Sequence, residues 1–272
     1  MVQEINNQTN TNMHLFDPRG RLTPSNGERV YSTSERGYFS LDQPEINCAA
    51  IHARVAEFLN QPKLDQSITV DNFKARCDSL RSRIMADEAT SNLFKGTHVP
   101  FLMTPPKGES DLGKELDSVL LESVARSFTA RFPQFEFRNH EHGHMEGKIS
   151  VTPGVRYENL LEARGRGPVV GWYFPNCMAG FAVPDQRALI GRLPPPLILS
   201  GPVEAAFAFV GVPELLMKNE NYPNLLALAA VKPSKVHCFY FFEAYGWNLT
   251  FNLRSMVGAV SEYYAGGLTV IG

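Results

Sequence analysis

Val236-His237-Cys238-Phe239-Tyr240-Phe241-Phe242 and, after a short break, Trp247-Asn248-Leu249-Thr250-Phe251-Asn252-Leu253 are runs of aromatic and β-branched residues. Such residues suit a pleated, half-buried surface, so both runs read as strands. A third run, 225–231, precedes them and is expected to share their sheet. Helical periodicity lies earlier, over 44–60, 70–85 and 111–130. Helices and strands therefore occur in separate runs, without the regular βαβ alternation of a Rossmann-type sheet. The fold class expected is α+β, with N-terminal helices followed by an antiparallel or mixed sheet and a strand-rich C-terminal third.

The helices carry clear stripes. Ile51, Val55, Phe58 and Leu59 mark the first. Phe73, Cys77, Leu80 and Ile84 mark the second, with Thr69 as its cap and Asp71 in its first turn. Cys77 reads as a small buried hydrophobe on that stripe. Leu112, Leu116, Val119, Leu120, Val124 and Phe128 mark the third. Thr152-Pro153 is expected to open a helix that ends at Arg164-Gly165. Short helices are expected near 185–190, 202–210 and 213–218. Strands are expected at 99–103, 135–138, 148–151 and 197–199, and the segment 169–196 reads as irregular. Residues 1–43 form a turn-rich extended arm, frayed over 1–12, with Asn26-Gly27 as a turn and short strands at Val30-Tyr31 and Tyr38-Phe39. Residues 44–272 form one domain.

Composition narrows the function classes. Of 272 residues, 43% are hydrophobic and 20% charged, with a formal net charge of −2. These are globular values, and they lack the clustered basic face of a nucleic-acid binder. The N-terminus has no signal-peptide pattern, and no run of about 18 apolar residues occurs, so a cytoplasmic protein off the membrane is expected. Four cysteines stand far apart without a Cys-x-x-Cys pair, which supports neither a disulfide framework nor a zinc knuckle.

Several motifs occur in fixed order from residue 64 to the C-terminus. Phe73 to Leu80 precedes His98-Val99-Pro100-Phe101-Leu102, and Ile149-Ser150-Val151-Thr152-Pro153 leads to Ala163-Arg164-Gly165-Arg166. Pro213-Glu214-Leu215-Leu216-Met217-Lys218-Asn219 and Gly246-Trp247 follow. This series resembles an uncharacterised bacterial family known only as a domain of unknown function. The resemblance implies a shared fold. That family carries no established activity, so no catalytic residue is transferred. The stretch 139–147 and the segment 167–195 depart from the family's pattern.

The first of those departures holds the chemistry. Asn139-His140-Glu141-His142-Gly143-His144-Met145-Glu146-Gly147 carries three of seven histidines. With strands expected on both sides, it reads as the turn of a hairpin. On a strand, His140 and His142 face one side about 6.6 Å apart, close enough to share a metal. Three ligands on a straight strand would span about 13 Å, so His144 joins only if Gly143 bends the chain. The spacing of His140, His142 and Glu146 is similar to the first metal motif of cupin barrels, although the long helices do not suit a jelly roll. His237, with Glu243 further along the same strand, is the remote ligand expected to complete the set. A mixed site of this kind suits Zn, Mn or Fe, with Glu141 as base on metal-bound water. The first expected function is a metal-dependent enzyme acting on a small molecule. The other is a non-catalytic module whose aromatic and proline-rich surface around 172–196 grips a small molecule or another protein. Cys177, in a loop, is a weaker nucleophile candidate, and Tyr240, Glu243, Tyr245 and Trp247 are candidate pocket aromatics.

Overall fold

Asn47 sets where the first helix begins. Its side chain accepts the Ala50 N–H, so α1 (Cys48–Phe58) starts four residues later than the sequence predicts. In this computed structural model, residues 14–25, 27–31, 39–108, 111–217 and 222–272 are described. The expected fraying of 1–12, the Asn26 turn, the Tyr38 strand and the end of the 213–218 helix lie outside them. α2 (Leu64–Ser67) is one turn, and Thr69 caps α3 (Val70–Ala86), which buries Phe73, Cys77, Leu80 and Ile84 as its stripe predicts. After β1 (Val99–Met103) comes one long helix in three parts. These are α4 (Leu112–Glu115), a π-helical segment (Leu116–Leu120) and α5 (Leu121–Arg131). The wider π turn shifts the apolar stripe, so Val119 is 38% exposed while Leu116, Leu120, Leu121 and Val124 are buried.

The remaining elements are β2 (Phe137–Asn139), β3 (Ile149–Val151), α6 (Tyr157–Arg166), β4 (Val169–Phe174), α7 (Val183–Leu189), β5 (Ile198–Leu199) and α8 (Pro202–Gly211), then β6 (Leu225–Ala227), β7 (Val231–Pro233), β8 (Cys238–Tyr245), β9 (Asn248–Ser255), β10 (Tyr264–Gly266) and β11 (Leu268–Ile271). The α+β class is as the sequence predicts. The strands form a four-stranded antiparallel sheet in the order β1-β4-β11-β5, a five-stranded mixed sheet in the order β10-β6-β8-β9-β2, and a β3-β7 ribbon. α8 is buried on every side between α1, α5 and β1, and Phe209 reaches the second sheet through Phe242, 4.6 Å between ring centroids. No described helix is long and apolar enough to cross a membrane.

Several expectations are corrected. β2 and β3 do not pair, because β2 joins β9 in parallel and β3 joins β7, so residues 140–148 bridge two sheets instead of closing a hairpin. The segment 169–196 contains β4, a fully buried strand beside β1. Burial on both faces removes the alternation that would have marked it. Gly171 is required there, since a Cβ would come within 2.3 Å of the Phe101 ring. The 225–231 run splits between two sheets, and residues 213–216 form a turn. Pro153 opens a turn, not a helix. Arg156, at φ +64°, donates to the carbonyls of Leu193, Pro194 and Leu197, and α6 begins only at Tyr157. Part of the N-terminal arm is core, with Phe16, Leu22 and Leu41 buried.

The N-terminus of α8 meets β11 in a closed polar cluster. Glu204 Oε1 accepts the Gly201 N–H at 2.6 Å and the Thr269 hydroxyl at 3.3 Å, while Oε2 accepts the Tyr157 hydroxyl at 2.9 Å. The Tyr157 oxygen in turn accepts the Val203 N–H at 3.0 Å. Burial pushes the Glu204 carboxyl up to about 7 in spite of these bonds.

Candidate functional site

Asp117, on the π-helical segment, organises the His-rich loop. Its carboxylate accepts the Asn139 amide at 3.0 Å, the Gly143 N–H at 2.6 Å and His142 Nδ1 at 3.0 Å. An ionised carboxylate only accepts, so Nδ1 carries the imidazole proton and Nε2 is the open acceptor. Gly143 bends the chain at φ +74°, as the three-ligand geometry requires. Met145 is fully buried and anchors the loop, and its carbonyl lies where a Cβ on Gly113 would come within 1.9 Å. Gly147 N–H donates to Asp111 at 3.0 Å, and this bond is the main reason that carboxyl lies below its ordinary value.

The histidines are not brought onto one point. His140, His142, His144 and Glu146 are exposed, and Glu146 pairs with Lys114 at 3.3 Å. Glu141 is half-buried beside Tyr240, whose hydroxyl is pushed up to about 12 by burial and then by that carboxylate. His237 is remote. Cys238 pairs with Ser255 where Asn139 pairs with Phe251, four residues apart along β9 or about 13 Å, and β2 lies two strand spacings from β8, about 10 Å. Glu243 accepts the Tyr263 hydroxyl instead. Among the described residues no group of three or more His, Cys, Asp or Glu side chains is placed to hold a metal ion. Cys177 is buried, which raises its thiol far above the nucleophilic range. The aromatics do not line one pocket either. Tyr245 is exposed, Trp247 stacks on Phe135 and Tyr240 stacks on Phe251.

Two clefts remain. One, of about 480 Å³, lies beside the π-helical segment and is lined by Lys107, Lys114, Glu146 and the buried Arg164–Glu115 pair, among others. Its cations are engaged, Lys107 with the Asn60 carbonyl, Lys114 with Glu146 and Arg164 with Glu115. The other, of about 390 Å³, is lined by Arg21, Leu41, Lys95, His98, Asn224 and Glu262, among others. His98 is packed edge-on against Phe94, 4.9 Å between centroids, and tilted against Trp172 at 5.5 Å. Its backbone is clamped by Gln43, which accepts the His98 N–H and donates to the His98 carbonyl, both at 2.9 Å. Nδ1 donates to the Gly96 carbonyl at 2.8 Å, and burial holds the pKa below its ordinary value. The ring is thus neutral at neutral pH, with Nε2 as a lone-pair acceptor.

Asn224 distinguishes this cleft. It is 1% exposed, donates weakly to the Glu262 carbonyl at 3.4 Å, and leaves Oδ1 without a partner. A buried acceptor of this kind costs stability unless something supplies a proton donor. Neither His98 nor Asn224 stands out in the sequence as a site residue, because each lies at a strand start beside proline or apolar residues, and only the fold puts them on one cleft. No protein-family model, no curated protein and no solved structure matches the chain.

Proposed function

We propose that the protein binds a small polar molecule in the cleft between residues 19–21, 39–43, 94–98 and 224. Asn224 carries the reading, because it lines the cleft and its buried Oδ1 has no donor. A hydroxyl or amine of the ligand satisfies it. Lys95 supplies positive charge at the exposed rim, and Leu41 and Phe94 give an apolar wall. Asn176 and Ala179 complete the lining, so the segment expected to grip a ligand contributes to it.

Asn224→Leu tests this without knowledge of the ligand. It replaces an unpartnered amide by an apolar group of similar size, so the free protein is expected to melt roughly 2–4 °C higher, a gain of about 1 kcal/mol. Native mass spectrometry of gently purified wild type is expected to show a bound small molecule that the variant lacks. A lower melting temperature for the variant means the amide is structural, and the reading fails.

A metal-dependent enzyme at residues 140–146 is the second reading. It is favoured by the Asp117–His142 pair, since a carboxylate that fixes Nδ1–H presents Nε2 to a metal. His140, His144 or Glu146 would join it as ligands, with Glu141 as base. Zinc, manganese or iron bound at 100 times its Kd raises stability by about 3 kcal/mol and the melting temperature by several degrees. That rise should vanish in His142→Ala. Equal rises in both proteins remove the loop as the site.

A further inference from the structure

A third and smaller cleft, of about 240 Å³, lies where the start of α1, the last residue of α5 and the turn after α8 meet. Two cations and two carboxylates line it. Arg54 stands on α1, Arg131 closes α5, Glu45 precedes α1 and Glu214 follows α8. Among the described residues, none of these four side chains forms an ion pair. Ile51 and Val212 add an apolar wall. We propose that this cleft binds a small zwitterion, a free α-amino acid with an aliphatic side chain, its carboxylate on Arg54 and Arg131 and its ammonium on Glu45 and Glu214.

Arg54 is the fixed part of the site. Its Nε donates to Ser127 Oγ at 3.2 Å and to the Val210 carbonyl at 3.0 Å. Its Nη2 donates to the Ser127 carbonyl at 2.5 Å and to Ser127 Oγ at 2.6 Å. The guanidinium also lies 5.0 Å over the Phe58 ring, and Ser127 is fully buried. These bonds leave Nη1 without an acceptor among the described residues. A guanidinium held in this way has already lost its rotamer freedom, so an anion meets a preorganised donor. Burial lowers the Arg54 guanidinium below its ordinary value, the Glu214 and Glu57 carboxylates oppose that, and Arg131 adds to it. The two arginines therefore repel each other, and a carboxylate that meets both relieves the repulsion.

Charge and size select the ligand class. An anion alone leaves Glu45 and Glu214 unanswered, and an amine alone leaves the arginines unanswered. A molecule with both charges satisfies the two pairs together. The helix ends agree in sign, with partial positive charge at the start of α1 and partial negative charge at the end of α8. The volume lies below the roughly 300–1,000 Å³ of sites for drug-sized ligands, which suits a single amino acid.

L-Leucine is the probe, titrated into the full chain and followed by the NMR signals of the backbone amides. Two analogues separate its charges: 4-methylpentanoate lacks the amine, and 3-methylbutylamine lacks the carboxylate. Wild type is expected to bind one leucine, and each analogue at least about tenfold more weakly, the cost of one charge-assisted contact. Arg131→Gln is expected to weaken leucine about tenfold without weakening 3-methylbutylamine. Glu214→Gln is expected to weaken leucine by a similar factor without weakening 4-methylpentanoate. The proposal is overturned if leucine does not bind, if either analogue binds as tightly as leucine, or if both variants keep the wild-type affinity. It is also overturned if Asn224→Leu abolishes leucine binding, which would place the ligand in the cleft of His98. Arg131 is exposed and Glu214 half-buried, so both variants are expected to fold, as circular dichroism will check. If one does not, the other variant and the two analogues decide.

Discussion

Arg164→Ala is expected to lower the unfolding free energy by about 4 kcal/mol and the melting temperature by roughly 10 °C. The Arg164 and Glu115 side chains are only 4% and 10% exposed. The guanidinium bonds both carboxylate oxygens, donates to the Thr104 carbonyl at 2.8 Å and lies 5.3 Å over the Phe207 ring. Removing it strands a carboxylate in a site built for its partner, and the Thr104 carbonyl loses its donor as well. The pair is costly to bury, so deleting both charges is much milder than deleting one. Arg164→Met combined with Glu115→Leu should cost under about 2 kcal/mol, because apolar groups fill the same volume. Denaturant unfolding of wild type, both single variants and the double variant closes the cycle. Additive losses would show that the two charges do not depend on each other, contrary to this account. The pair joins α4 to α6 beside the π-helical segment, so the single variant is also expected to loosen the seat of the 140–148 loop.

Glu204 should make the protein less stable as pH rises from about 4.5 to about 7. Its folded pKa lies above its ordinary value of 4.5, so the native state holds a proton that the unfolded chain releases. The stabilising contribution is complete below 4.5 and is lost by about 7. A displacement of this size corresponds to about 3 kcal/mol. His98 acts in the opposite sense. Burial lowers its pKa from 6.5, so its contribution is present above 6.5 and lost as the pH falls through the folded value. The two windows overlap, so the raw pH profile mixes them. Glu204→Gln isolates the carboxyl, because Gln keeps an oxygen for the Gly201 N–H but does not ionise. The wild type should lose about 3 kcal/mol against this variant between pH 4.5 and 7.5. A constant difference across that range would mean that Glu204 ionises as readily in the fold as in water.

The helix most legible in the sequence is one whose burial is one-sided. α3 follows its stripe and Thr69 caps it, because one face of that helix meets the body and the other meets water. β8 and β9 were found from aromatic content and pair along their whole length. β4 was missed because it is buried along its whole length, paired at both edges by β1 and β11 and packed against α3 and α8. β11 was missed because a four-residue strand at the chain end has no period to read. The π-helical segment has no local signature, and it turned Val119 outward.

The candidate sites divide in the same way. The sequence by itself determined that 139–147 is the densest run of histidines and carboxylates, that Gly143 is the residue able to bend it, and that the class is α+β. These follow from residue type and spacing, which act over a few positions. Only the tertiary structure decided that β2 and β3 part company, that Asp117 orients His142, and that His237 lies two strands away and further along the sheet. The cleft of His98 and Asn224 and the Arg164–Glu115 pair also belong to the tertiary level. Each depends on which elements pack together, and packing is chosen by the whole apolar surface, not by any single stretch of chain.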